Sequence, residues 1–213
     1  MRKFLVITSF CWSLVVVAAV QSRLTSLSEG LSRGQIELKN DSYNEAGGPA
    51  YLQLGFVKGE KAAVWIPVPA KVKVLKVDAF RVLINGQREF QDDPLSVFFQ
   101  MTIARDGKYS TSIAPEIENA AQITAGPYWN DIPAQGARGR GLGCAAGGML
   151  VGAALEFTHD GAPSVHRSET LKNPLGNLIY AIPGGWNLSQ TYGVRGDWIL
   201  RIMGHEAAAG ECP

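Results

Sequence analysis

The chain has 213 residues, with 20 lysines and arginines against 19 aspartates and glutamates, and only 18% of its residues are charged. A formal net charge of +1 provides no electrostatic basis for holding nucleic acid or an anionic membrane surface. With 24 glycines and 11 prolines, the composition favours many turns and short strands over long helices.

The first element is Arg2-Lys3 followed by an apolar run from Phe4 to Val20 that contains Val17-Ala18-Ala19 near its end. A positive start, an apolar middle and small residues at the exit are the layout of a secretory signal peptide over residues 1–19, with cleavage expected after Ala19. The run lies at the lower limit for spanning a bilayer, and Thr8, Ser9 and Ser13 dilute it, so an uncleaved anchor is the weaker reading. Cys11 sits inside the run and not at its end, which disfavours a lipoprotein. No later segment approaches spanning length. The expectation is therefore an exported protein, secreted or periplasmic, with no membrane span in the mature chain. Removal of residues 1–19 leaves 18 basic against 19 acidic residues. The remaining chain of about 190 residues can bury one core.

Residues 20–48 are polar and weakly patterned, a lead-in with one short strand expected at 35–38. Strand signals dominate from 49 to 204. Residues 51–57 and 62–68 are short apolar runs separated by Lys58-Gly59-Glu60, a hairpin signal. Pro67 and Pro69 end the second run or place it at a sheet edge. The stretch 72–84 alternates with a slip of phase. Leu75, Val77 and Ala79 share one face, and Phe80, Val82 and Ile84 take the other, as a β-bulge would produce. Asn85-Gly86 follows, a strong hairpin turn.

Residues 96–104 place Val97, Phe99, Met101 and Ile103 on one face and Gln100 and Thr102 on the other. Arg105-Asp106-Gly107-Lys108 is another tight turn. Met149, Val151, Ala153, Leu155 and Phe157 again keep period two, with Glu156 and Thr158 opposite. Residues 177–182 and 196–203 complete the set; the last carries Trp198, Leu200 and Ile202 on one face and Arg201 on the other. No stretch sustains a helical apolar period, and residues 116–123 could form two helical turns at most. The expected fold is all-β, an antiparallel sandwich of jelly-roll type in one domain over 49–204, with a tail at 205–213.

Once Cys11 is removed with the signal, Cys144 and Cys212 are an even pair in an oxidising compartment, and a disulfide between them is expected. Motifs that would carry chemistry are sparse. Gly141-Leu142-Gly143-Cys144-Ala145-Ala146 matches a relaxed dinucleotide-binding pattern, but no helix follows it, so it reads as a surface loop. No cofactor is implied. His159, Asp160 and His166 lie within eight residues and could ligate a metal if the loop doubled back; an ordered turn is the plainer reading. No G-x-S-x-G elbow marks a hydrolase, and paired catalytic carboxylates are equally unmarked, although Glu116, Glu118, Asp131 and Glu156 are present.

Aromatic residues are the better resource. Trp65 and Trp198 lie on strands and read as core. Trp129 with Asn130 and Asp131, and Trp186 with Asn187, combine a ring with polar neighbours in what read as loops, a composition suited to stacking on a sugar.

Three segments carry a resemblance: Gly55-Phe56-Val57-Lys58-Gly59-Glu60-Lys61-Ala62; Leu155-Glu156-Phe157-Thr158-His159-Asp160-Gly161-Ala162-Pro163-Ser164-Val165; and Tyr192-Gly193-Val194-Arg195-Gly196-Asp197-Trp198-Ile199-Leu200-Arg201. Together they resemble a group of secreted bacterial proteins with an expected jelly-roll sandwich. The resemblance implies fold and export, with the first segment opening the sandwich and the Gly-Asp-Trp strand closing it, and carries no activity. The function expected from the whole is a non-catalytic binding module for a glycan or another surface component. A structural or adhesive surface protein is the first alternative and a hydrolase the second.

Overall fold

The computed structural model describes residues 34–53, 55–85, 96–123, 128–134, 143–161 and 164–212. The expected signal peptide at 1–19 and the turn glycine Gly86 lie outside these residues. The β domain falls within Ile36–Pro213. Its strands are β1 (Ile36–Leu38), β2 (Ala50–Gln53), β3 (Lys61–Pro67), β4 (Val74–Asn85), β5 (Ser96–Ala104), β6 (Ile117–Gln122), β7 (Tyr128–Pro133), β8 (Cys144–Ala146), β9 (Leu150–Phe157), β10 (Ser164–Ser168), β11 (Asn177–Ala181), β12 (Gly185–Leu188) and β13 (Leu200–Glu206). The helical content among the described residues is two short 3-10 turns, Pro174–Gly176 and Ser189–Tyr192.

Two antiparallel sheets pack face to face. One has seven strands, in the order β1-β13-β4-β10-β2 with β7 and β8 also on β4. The other has six, in the order β12-β11-β3-β9-β5-β6. Residues 79–82 of β4 pair with both β13 and β7, so these two neighbours occupy opposite edges of β4. The core lies between the sheets. Val64, Ile66, Phe99, Met101, Leu155 and Phe157 project from the six-stranded sheet onto Phe80, Val82, Leu200 and Ile202 of the other. Phe80 and Phe99 stack across the interface with ring centroids 3.8 Å apart. Burying side chains of this size contributes about 1.5–3 kcal/mol each, and the alternation of apolar residues along each strand directs them inward.

The phase slip in the sequence is a bulge. Met203 pairs with Ala79 and Gly204 with Val77, which leaves Asp78 as an extra residue in β4. Leu75 and Val77 therefore face the core on one side of it, and Phe80, Val82 and Ile84 on the other.

Several expectations are corrected. Within 116–123, residues Ile117–Gln122 form strand β6, not helical turns, because pairing with β5 over Ser96–Met101 overrides the helix-favouring Glu-Asn-Ala-Ala sequence. Lys58-Gly59-Glu60 is a turn, with Gly59 at φ +88° and the Glu60 amide donating to Val57 O at 3.0 Å, yet β2 and β3 join different sheets. β4 and β5, on either side of Asn85-Gly86, also part company in this way. Neither β2 with β3 nor β4 with β5 is a hairpin pair. Pro67 ends the interior strand β3 and does not mark an edge. The lead-in belongs to the domain from Ile36 onward, since β1 pairs with β13.

The Gly196-Asp197-Trp198 motif is a structural knot. Asp197 is fully buried and accepts from the amides of Lys172 (2.7 Å) and Asn173 (3.2 Å) and from Asn177 Nδ2 (2.6 Å). Trp198 donates from Nε1 to Leu178 O at 3.1 Å. Gly196 has φ +118°, and a Cβ there would collide with Ser168 O.

The expected disulfide is present. Cys144 and Cys212 are bonded, with Cα atoms 6.0 Å apart. Cys144 lies on β8, along one edge of β4, whereas the tail departs from β13 on the other edge. The bond carries the tail across the end of β4. Among the described residues, no helix is long and apolar enough to cross a membrane.

Candidate functional site

Trp65 and Trp198 are core, 2% and 0% exposed. Trp129 and Trp186 lie on strands β7 and β12, not in loops. Period-two geometry then divides the expected trio. Asn130 is buried, while Trp129 and Asp131 share the opposite face. On that face Asp131 accepts a bidentate pair from Arg81, at 2.7 and 2.9 Å. The half-buried Trp129 ring lies 4.6 Å from the Arg201 guanidinium and 6.1 Å from the Tyr43 ring. This is a packed cation–π contact.

Arg201 is the centre of that assembly. Its side chain is 3% exposed and donates to both oxygens of the fully buried Asp41 carboxylate, at 3.0 and 2.9 Å. Glu37 at 3.1 Å and the Tyr43 carbonyl at 3.1 Å complete its partners, with Glu45 at 3.5 Å on the rim. Burial works against the Arg201 charge; Asp41 and Glu37 outweigh it and hold the pKa above its ordinary value. The assembly fastens the segment that follows β1, through Glu45, to the seven-stranded sheet.

The three proposed metal ligands are not brought together. His166 is buried on β10 with Nδ1 at 3.3 Å from Leu83 O, and burial lowers its pKa. Asp160 accepts the Lys58 amide at 2.8 Å, and His159 Nδ1 meets Thr158 Oγ1 at 2.8 Å. Each side chain completes a turn or ladder of its own. No cluster of three metal-ligating side chains occurs among the described residues. Asn187 accepts from the Leu188 amide and Thr191 Oγ1, which shapes the turn after β12.

The outer face of the six-stranded sheet offers a different arrangement. Registers align Trp186, Tyr180, Lys61, Glu156 and Phe98 in one row across β12, β11, β3, β9 and β5. The next row is Leu188, Leu178, Ala63, Ala154, Gln100 and Glu118. Beyond it the segment 105–116 covers the sheet. Ile113 joins Trp65, Leu150 and Leu178 in a second apolar cluster, and Trp65 Nε1 donates to Ser110 O at 2.9 Å. Gly152 faces Trp65, where a Cβ would stand 2.6 Å from the indole. The first row borders this cover: Phe98 is 38% exposed, Tyr180 and Trp186 are half-buried, and Trp186 also packs against the apolar cluster.

Its polar centre is a connected network. Lys61 Nζ meets Glu156 Oε2 at 2.7 Å and Gln100 Oε1 at 3.0 Å. Gln100 Nε2 donates to Glu118 Oε2 at 2.6 Å and to Glu156 Oε2 at 3.2 Å. Gln100 is itself 3% exposed and supports both carboxylates from within the sheet. Rings flank the network: Tyr180 meets Trp186 edge to face at 5.5 Å, and Lys61 lies 5.7 Å from the Tyr180 centroid. Flat apolar surface next to fixed acceptors and an ammonium suits a polyhydroxylated ligand. In the sequence, Glu156 and Gln100 are legible as outward residues, but their meeting with Lys61, Tyr180 and Glu118 depends on sheet order.

A separate titratable cluster holds the tail. His205 Nδ1 lies 2.7 Å from Asp78 Oδ2, and Nε2 lies 3.0 Å from Glu211 Oε2, with Lys76 opposite in the ladder. The Asp78 hydrogen bond, then Glu211, raises the His205 pKa above 6.5. Its stabilising effect is thus complete below 6.5 and fades as pH rises through the raised value. Melting temperature should fall over that interval in the intact protein, and His205→Gln should remove that part of the pH dependence; an unchanged profile would count against the clasp.

Comparison with protein-family models, curated proteins and solved structures finds no significant match.

Proposed function

We propose that this protein is an exported binding module for a glycan or another carbohydrate-bearing surface component, engaged through the outer face of the six-stranded sheet. The row Trp186, Tyr180, Lys61, Glu156 and Phe98 carries this reading, because it sets partly exposed rings beside hydrogen-bonding groups held by Gln100. Export is supported by the signal-like residues 1–19 and is compatible with the Cys144–Cys212 bond.

Tyr180→Ala should weaken glycan binding about tenfold, at the low end of what ring stacking contributes in nucleic-acid binders. Tyr180→Phe, which keeps the ring, should bind nearly as the parent does. Titration calorimetry against oligosaccharides that score on a glycan array checks both. Equal affinities for parent and alanine variant would remove this face from consideration.

A hydrolase is the second reading. Gln100 Nε2 donates to both Glu118 and Glu156, at 2.6 and 3.2 Å, which sets two carboxylates side by side on this face, the residue types a glycosidase uses. Release of reducing ends during the binding assay decides between the two.

A further inference from the structure

Resting on that reading, we infer that the ligand is an extended oligosaccharide without acidic groups, laid across the strands from Trp186 to Phe98. Length comes from sheet geometry. Four strand spacings separate β12 from β5, so the rings at the two ends stand about 19 Å apart. A single pyranose reaches one end or the other, whereas a linear oligomer reaches both and crosses the polar network between them.

The exclusion of acidic sugars comes from charge. Lys61, the cation of the row, is engaged by Glu156 at 2.7 Å and by Gln100. Arg105, at the border of the face, is bound through Glu116 at 3.1 Å. Glu118 is then in excess beside Gln100, and an incoming uronate or sulfate would meet two carboxylates without a cation to receive it. Hydroxyls face no such repulsion, since they donate to Glu118 and Glu156.

The test uses calorimetry with the intact protein against neutral hexaoses of β-1,4-linked glucose, mannose and N-acetylglucosamine, their disaccharides, a galacturonate hexaose and a heparin hexasaccharide. A neutral hexaose should bind about tenfold more tightly than its disaccharide, as expected when one more ring is stacked, and the acidic oligomers should not bind. Phe98→Ala should lower hexaose affinity by a larger factor than disaccharide affinity, because the short ligand can seat at the Trp186 end without reaching β5. Glu118→Lys should admit the galacturonate oligomer. Tighter binding of an acidic oligomer that still requires Tyr180 overturns the class while the glycan-binding reading stands, and equal affinity for disaccharide and hexaose overturns the extended geometry. Absence of binding to every sugar removes the underlying reading and the inference with it.

Discussion

Arg201→Ala is expected to destabilise the domain by about 3–5 kcal/mol, the range for breaking a buried ion pair from one side. The substitution leaves the Asp41 carboxylate without its two guanidinium bonds in a site where that side chain has no solvent exposure. It also removes the cation from beneath Trp129. Urea unfolding measures the loss, and trypsin should gain access to Lys39 in the released segment 37–45. Arg201→Lys should rescue little, since an ammonium cannot reproduce the forked contact with both oxygens. Glu45→Gln should cost well under about 1 kcal/mol, because that partner is on the exposed rim. If the alanine variant does not fold, Arg201→Met combined with Asp41→Leu provides the check, as an apolar pair of similar bulk avoids the orphaned charge. A double variant no more stable than Arg201→Ala would contradict this account.

Removal of the disulfide, as Cys144→Ser with Cys212→Ser, should cost about 4 kcal/mol in the chain-entropy model, given the separation of 68 residues between the cysteines. The tail has other fastenings: the Ala207 amide donates to Val74 O at 2.9 Å, and Glu211 accepts from the Ala208 amide and meets His205. These contacts are local and partly exposed, so they do not replace the covalent closure. The melting temperature of the double serine variant, and that of the parent protein under reducing agent, should fall together. Two transitions of unchanged midpoint would show that the bond contributes nothing to the folded domain.

These two effects bear differently on what was legible in the sequence. The cysteine pair followed from counting, because Cys11 falls in the signal-like run and two remain. The Arg201 assembly did not. Arg201 was readable as an outward residue of its strand, but Asp41 and Glu37 belong to a segment that looked like a polar lead-in, and Trp129 looked like a loop residue. A charged residue on the outer face of a strand ordinarily points to solvent; here a strap of chain lies over it, and nothing in the local pattern announces a strap. The candidate ligand face was legible to a smaller extent. The sequence sets Trp186 beside Asn187, but Asn187 projects into its own turn, and the partner of Trp186 on the sheet is Tyr180, with Lys61 next in the row.

Strand alternation is a local property, so the sequence by itself determined the all-β class, the inward faces of β5, β9 and β13, a slip of phase within β4 and the burial of Trp65 and Trp198. That the slip falls at Asp78, which turns Leu75 and Val77 to the same core face as Phe80, Val82 and Ile84 and not to the opposite one, was decided by pairing with β13. Turn residues likewise marked where the chain reverses. Which sheet receives the next strand was decided by the tertiary structure. β3 lies in the opposite sheet from β2, and β5 in the opposite sheet from β4, while hydrogen-bonded neighbours such as β3 and β9, or β4 and β13, come from distant parts of the sequence. The row of Trp186, Tyr180, Lys61, Glu156 and Phe98 exists because five such strands align in register. Pairing between distant strands depends on how the two inner faces fill one shared core, and that condition is met by the folded chain as a whole and not by any one segment.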